Sequence, residues 1–218
     1  MLEINNKLSL AVVGAGGHCT SLMDVIECIE FFELKGIIAK EIKVGNHING
    51  YPVIGEDKDF QRFQELGFAF AIGIGQIKSH FLRKRIFDQL VNLTALLPNI
   101  ISPYARVSPR SQMGIGNSIM HNVVINANVS VGDNCIINSK ALVEHDAIIG
   151  SNTHISTGAI INGDVKVGDN CFIGSGAVIA NGINICNNVI IGAGAVVVRD
   201  IDIQGVYVGN PLRCLNKI

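Results

Sequence analysis

The chain has 218 residues, 48% of them hydrophobic, with 24 glycines, no tryptophan and a formal net charge of −1. That length admits one large core or two smaller domains, and the near-neutral balance excludes a nucleic-acid binder held by charge. No apolar run approaches the ~18 residues of a spanning helix, so no membrane insertion is expected.

Residues 8–13 read as a buried strand running into Gly14-Ala15-Gly16-Gly17-His18. Residues 8–17 behind Lys7 have the length of a signal-peptide core. They end in Gly-Gly-His with no small-x-small cleavage site, so a cytoplasmic protein is expected. A helix follows over roughly 19–32, with apolar residues at Leu22, Val25, Ile26 and Ile29. A second strand is predicted at 34–39, then a Gly/Asn-rich stretch, a short strand at 51–54, a helix from about 56 to 66 and a strand at 68–74. A basic helix at about 77–90 and a strand at 93–97 complete this half. Alternating β and α segments of these lengths imply a small Rossmann-like parallel sheet with helices on its faces. Pro98 and Pro103 bracket the join to the second half of the chain, giving domains at 1–97 and 98–218.

The glycine turn fits a dinucleotide fingerprint only in part. Gly14 and Gly16 match, but Cys19 stands where the third glycine belongs, and Ala39-Lys40 stand where an acidic residue would hold ribose. No bound redox cofactor is therefore expected. The turn is either a plain strand-to-helix connection or a place where phosphate or sugar meets backbone N–H groups at a helix N-terminus. His18, a polar ring at the turn, favours the second.

From Ile101 to Val197 every sixth residue is Ile or Val, Met113 excepted. A period of six fits neither a helix nor an indefinitely alternating strand, and is the hexapeptide signature of a parallel β-helix. Each hexapeptide makes a short strand and a bend, and three close one triangular coil. Residues eighteen apart then stack ~4.8 Å from each other. The aliphatic fills the prism, and the small residue four on, such as Cys135, Ala141 or Cys171, is assigned to the crowded corner. Gly132, Gly150 and Gly168 open GDN, GSN and GDN, read as turns in which Gly, Asn and Asp tolerate positive φ. Six cysteines without CxxC or zinc spacing agree with a reducing compartment. A prism with flat faces has no pocket of its own, so ligands are expected between neighbouring prisms.

One cluster stands out on this regular background: Val143-Glu144-His145-Asp146. Val143 and Ala147 keep the inward beat, which places His145 outward or at a corner. A neighbouring carboxylate orients an imidazole and raises its basicity, as a general base near neutral pH requires. The plain alternative is a solvated corner. His121 has no acidic neighbour. His154 lies half a coil from His145, ~15 Å across the prism at ~3.3 Å per strand residue, so the two rings cannot share one reacting group within a chain. A threefold assembly of prisms would bring them to common clefts. Asn126, Asn138 and Asn162 either bind acceptor hydroxyls or stack as corner ladders, and ladders are favoured. A carbonic-anhydrase-like metal site would need stacked histidines. His121, His145 and His154 do not repeat at eighteen, so no metal is expected. A catalytically silent structural trimer would leave both the glycine turn and Glu-His-Asp without a role.

The stretches VVGAGGH (12–18), IGIGQIK (72–78), NSKALVEHD (138–146), ISTGAIING (155–163) and FIGSG (172–176) make the chain similar, over about residues 8–211, to the NeuD/PglD-type sugar acetyltransferases. The resemblance implies a left-handed coil, a homotrimer and acetyl-CoA as co-substrate. It implies His145 as general base, Asp146 as the residue that increases its basicity, and His154 as a histidine contacting the cofactor. Ser175 and Ala193 match positions whose backbone contacts the cofactor. Gly16, Gly17 and His18 match the sugar-nucleotide loop, and Gly75 another substrate-side glycine. Gly209-Asn210-Pro211 looks like the family's closing GxP, with Leu212 where Ala is usual. Ala39-Lys40 replaces the acidic pair that characterised N-acetyltransferases carry. The implied reaction is direct acetyl transfer to the 4-amino group of a UDP-linked amino-deoxy sugar of a bacterial surface glycan, of the legionaminic-acid type or a related one. The alternative is O-acetylation of a sialic-acid-like nonulosonate.

Overall fold

A computed structural model describes residues 7–77 and 79–217. Lys78, the last residue of the IGIGQIK stretch, lies outside the described residues, as do residues 1–6 and Ile218. The chain divides into two compact units. One runs to Gly75 and takes in Arg85–Pro98, and the other comprises Gln76–Lys84 and Asn99 onward.

In the first unit, β1 (Leu8–Val13), α1 (Gly17–Glu27), β2 (Phe32–Ile38), β3 (His47–Ile48), β4 (Tyr51–Gly55), α2 (Phe60–Glu65), β5 (Ala69–Ile72) and, from Arg85 onward, α3 (Phe81–Asn92) follow in chain order. The sheet order is β3-β4-β2-β1-β5, parallel except for the β3–β4 pair. Leu10–Val13 are buried on both faces, which is why this part of β1 is an unbroken apolar run. One face packs Ala11, Val13, Phe70 and Ile72 against Phe60, Phe63, Ile86 and Leu90.

Three boundaries differ from expectation. The first helix stops at Glu27, because Phe32 is drawn into β2 opposite Leu8. The strand at 93–97 shrinks to a single bridge between Ala69 and Leu96, since Pro98 has no N–H to extend a ladder. The Gly/Asn-rich stretch contains an unforeseen hairpin, β3–β4, turned by Asn49 (φ 46°) and Gly50 (φ 87°). Asn-Gly is the pair that such a two-residue turn selects, so the signal was present in the sequence.

The second unit is a left-handed parallel β-helix of two- and three-residue strands on three faces. The first face stacks strands from Ile100–Ile101 through His154–Ile155 to Val189–Ile191, and the second runs from Arg106–Val107 through Leu142–Val143 to Val196–Val197. The third runs from Gln112–Met113 to Asn184–Ile185. Partners are eighteen residues apart throughout, as in Ile136↔His154 and Leu142↔Ile160. The aliphatics of the six-residue beat fill the core, and the small residues four on lie beside them inside the prism, with Cys135, Ala141 and Cys171 fully buried. The corner is instead turned by the residue three after each aliphatic. From Gly116 to Gly194 every sixth residue has φ between 54° and 70°, and each is Asn, Asp or Gly except Lys140. Gly132, Gly150 and Gly168 are therefore not the left-handed residues of their triplets. Asn134, Asn152 and Asn170 are. Gly205–Val208 and the antiparallel Arg213–Lys217 cap the first face, separated by a cis Asn210-Pro211 bond.

Candidate active site

The three edges of the prism differ in how the residue leading each corner is treated. On the third edge, which follows the third face, a side chain of the next coil accepts its N–H. Ile115 donates to Asp133 Oδ1 (2.8 Å), Asp133 to Ser151 Oγ (3.1 Å), Ser151 to Asp169 Oδ1 (2.7 Å) and Asp169 to Asn187 Oδ1 (2.9 Å). These acceptors fill the place of a Cβ on Gly114, Gly132, Gly150 and Gly168. Such a carbon would run into Asp133 Oδ1 in the first case and meet Ser151 Oγ at 2.5 Å in the second. The glycines are thus required by stacking. On the first edge Thr157, Ser175 and Ala193 are exposed, and among the described residues no acceptor of the chain meets their N–H groups.

The third edge is also covered from outside by Gln76–Lys84. Gln76 Nε2 donates to the Asn152 carbonyl (2.7 Å), and Arg83 Nε and Nη2 donate to the Asn134 and Gly116 carbonyls (3.2 and 3.4 Å). Arg83 is 1% exposed, and burial pulls its guanidinium down to about 10. The expected basic helix at 77–90 is therefore shorter, and its leading segment is a strap on the prism. Of the asparagines assigned to ladders, Asn126 donates to Glu144 (2.8 Å) and Asn162 to the Ile179 carbonyl (2.6 Å). The amide-on-amide ladder lies on the third edge, Asn134 donating to Asn152 at 2.8 Å.

The second edge carries His145 and Asp146. The sequence Glu-His-Asp-Ala places His145 at the leading corner position and Asp146 in the left-handed one (φ 63°), which Asp tolerates better than most residues. His145 Nδ1 donates to Asp146 Oδ2 at 2.8 Å, which leaves Nε2 carrying the lone pair. Asn128, one coil below, donates to Asp146 Oδ1 at 3.0 Å and fixes the carboxylate. The imidazole is 61% exposed. Its pKa is raised, first by the Asp146 hydrogen bond and then by the charges of Asp146, Glu144 and Asp164, while the Asp146 carboxyl is held below its ordinary value. An exposed, oriented ring with a free lone pair and a raised pKa can take a proton from an acceptor near neutral pH.

His154 is different. It lies on the first face, 5% exposed, with Nδ1 donating to the Gln76 carbonyl and Nε2 facing Asn138 Nδ2 at 3.3 Å. Burial is the main cause of a pKa near 4, so the ring stays neutral. Both ring nitrogens have partners within the chain. Its contact with Phe172 is edge-on. Neither hydrogen bonding nor ring contact joins it to His145. His121 pairs with buried Ser102, Oγ to Nδ1 at 2.7 Å. Ser175 and Ala193 stand on the first edge with the open N–H groups, the Ser175 hydroxyl paired to Ser156 at 2.9 Å. Among the described residues no group of three or more His, Cys, Asp or Glu side chains could hold a metal, and no helix is long and apolar enough to cross a membrane.

In the first unit, β1 has β2 on one side and β5 on the other, so the turn at its carboxyl end lies where an open α/β sheet places ligands. Gly16 and Gly17 are exposed there, with Gly16 capping α1 without a side chain. Two loops close on each other at this end. A Cβ on Gly14 would meet Ile74 at 2.8 Å, and one on Gly75 would meet His18 at 3.3 Å. The structure brings Gly16, Gly17, His18 and Gly75 to this end of the sheet. Ala39 is buried and Lys40 exposed just beyond β2.

The family model for the PglD N-terminal domain matches residues 9–90, and those for the bacterial transferase hexapeptide and the hexapeptide repeat of succinyl-transferase match 146–181 and 164–199. Among solved structures, the acetyltransferase domain of PglB from Neisseria gonorrhoeae in complex with acetyl coenzyme A is 30% identical. The match covers 96% of this chain and all of that one, at a TM-score of 0.89. PerB from Caulobacter crescentus in complex with CoA and GDP-perosamine is 30% identical over 95% of this chain and 97% of that one, at 0.88. WeeI from Acinetobacter baumannii is 25% identical over 96% and 100%, at 0.85. A comparison with curated protein sequences finds no match.

Proposed function

Because the chain belongs to the PglD-type family of sugar acetyltransferases, we propose that it transfers an acetyl group from acetyl-CoA to the 4-amino group of a nucleotide-linked amino-deoxy sugar, with UDP as the nucleotide. The observation that carries this reading is the His145–Asp146 pair, 2.8 Å apart on an exposed edge of the prism. Acetyl-CoA supplies a thioester carbonyl that is already activated. His145 Nε2 accepts the proton of the acceptor amine as its nitrogen forms the new C–N bond and the C–S bond breaks. Asp146 steadies the resulting imidazolium, and no acyl-enzyme is required. Glu144, Asp146 and Asp164 place negative charge near the ring, which draws in an acceptor as its ammonium ion; that ion loses one proton to solvent before attack, and His145 takes the second. The open N–H groups of Ser175 and Ala193 suit the polar oxygens of the cofactor or its carbonyl.

The nucleotide belongs with Gly16, Gly17, His18 and Gly75, where exposed N–H groups open α1. A homotrimer, with prisms side by side, supplies the clefts that flat faces lack. His154 is assigned to the cofactor in this reading, with its ring held by Gln76 and Asn138. The PerB complex holds a GDP-sugar, so the base is tested with both nucleotides. A second reading, O-acetylation of a sialic-acid-like nonulosonate, is favoured by exposed Lys40 in place of an acid, since a cation suits a carboxylate-bearing sugar.

Incubation with acetyl-CoA and UDP-4-amino sugar, GDP-4-amino sugar or nonulosonate, followed by mass spectrometry, separates these acceptors. A gain of one acetyl group resistant to hydroxylamine on the UDP-sugar supports the proposal. A hydroxylamine-labile acetyl on the nonulosonate alone overturns it.

A further inference from the structure

His145 does not stand alone on the second edge. Ala127, His145, Gly163 and Asn181 stack eighteen residues apart as the leading residues of successive corners, and only Gly163 lacks a side chain. Backbone conformation does not demand this glycine, for its φ lies outside the left-handed region and its equivalents carry side chains. Space does. A Cβ on Gly163 would lie 2.8 Å from His145 Cε1 and 3.0 Å from Nε2, with Asn181 Nδ2 at 3.3 Å on its other flank. The Cε1–Nε2 edge of the imidazole thus lies against Gly163, in the space a Cβ would need. Asp146 holds Nδ1, on the other side of Cε1.

We propose that Gly163 is a positioning residue, the seat that lets His145 keep the orientation in which Nδ1 bonds Asp146 and Nε2 faces the acceptor. This rests on His145 being the base. A methyl group at 163 forces the exposed ring to swing, because the ring is the far end of a side chain and the backbone is not. Swinging breaks the bond to Asp146 and moves Nε2. The fold loses little and the reaction loses much, since misplacing a catalytic group by ~1 Å costs up to ~10²-fold.

The test compares Gly163→Ala, His145→Ala and the double variant. Gly163→Ala is expected to lower kcat by about 10- to 100-fold with KM for acetyl-CoA within about threefold, and to move the acidic limb of kcat/KM to lower pH as the Asp146 bond is lost. In the His145→Ala background the same methyl meets only the end of the flexible Asn181 side chain, which can give way, so it changes neither turnover nor Tm. Should Gly163→Ala alone fail to fold, a double variant that melts with His145→Ala still identifies the ring as the obstacle. Wild-type kcat in Gly163→Ala beside a disabled His145→Ala overturns the inference while leaving the base in place. So does a loss that persists undiminished in the double variant. Wild-type turnover by His145→Ala removes the base itself, and the seat with it.

Discussion

Two edges of one prism are built from the same six-residue rule and treated in opposite ways. On the third edge every leading N–H from Ile115 to Asp169 is accepted by a side chain of the next coil, and a strap bearing Gln76 and Arg83 occupies the corner carbonyls. On the second edge the leading positions carry an imidazole and a bare glycine, and polar groups face outward. The difference is one of satisfied against available hydrogen bonding. On the third edge the satisfied leading N–H groups contribute to stability, although Asn134 Oδ1 and Asn170 Oδ1 are buried there without a partner among the described residues, while the second edge leaves exposed polar groups for a ligand. Substitutions should therefore sort by edge: stability on the third, rate on the second.

The largest effect expected is on rate. His145→Ala should lower kcat by ~10²–10⁴-fold while Tm and acetyl-CoA affinity stay near wild type, because the ring is exposed and leaves no cavity. Steady-state kinetics with thiol release, beside a melting curve, reads both. Arg83→Ala should do the reverse. It removes a buried charged donor from the Asn134 and Gly116 carbonyls and leaves them dry, costing about 3–5 kcal/mol in urea unfolding. Turnover per folded molecule should be little changed. A stable Arg83→Ala protein would break the contrast.

How legible each edge is in the sequence depends on what sets it. The inward beat from Ile101 to Val197 is a local rule repeated, so the prism, its eighteen-residue stacking and the corner position of His145 are legible without coordinates. The Asp146 pairing is legible too, since the two residues are adjacent. What escapes is contact across coils and from distant chain. Gly150 looks like a turn glycine until Asp169 is seen in the space of its Cβ. Gly163 is silent until His145 is laid against it. His154 is a polar residue with no local partner in sequence. Gln76, 78 residues earlier in the chain, supplies the carbonyl that pins it, and burial keeps it neutral.

That pin gives the third prediction. The unfolded imidazole takes a proton near its ordinary pKa of ~6.5, while the folded one resists until about 4. Stability is intact above the first value and falls as pH drops through the window between them, by about 3 kcal/mol for this group alone. His154→Gln has no group to titrate there. The slope of unfolding free energy against pH between 6.5 and 4 should therefore be shallower in the variant by about one proton. Equal slopes would mean that the ring is solvated in the folded protein.

The smallest effect is the one that tests the second edge most closely. Asp146 raises the His145 pKa chiefly through the hydrogen bond to Nδ1. The base works unprotonated, so the acidic limb of kcat/KM lies above the ordinary imidazole range in the wild type. In Asp146→Asn the charge is gone and the amide is a poorer acceptor, so the limb moves to lower pH. The plateau falls about tenfold or less, because a less basic ring is a weaker proton acceptor. Asp169→Asn is the matched change on the third edge. Its Oδ1 accepts the Ser151 N–H, and an amide oxygen serves there equally well, as Asn187 already does for Asp169. That variant should leave the pH profile where it is. If both substitutions move the limb alike, the profile reports the net charge of the prism and not a carboxylate bonded to the base.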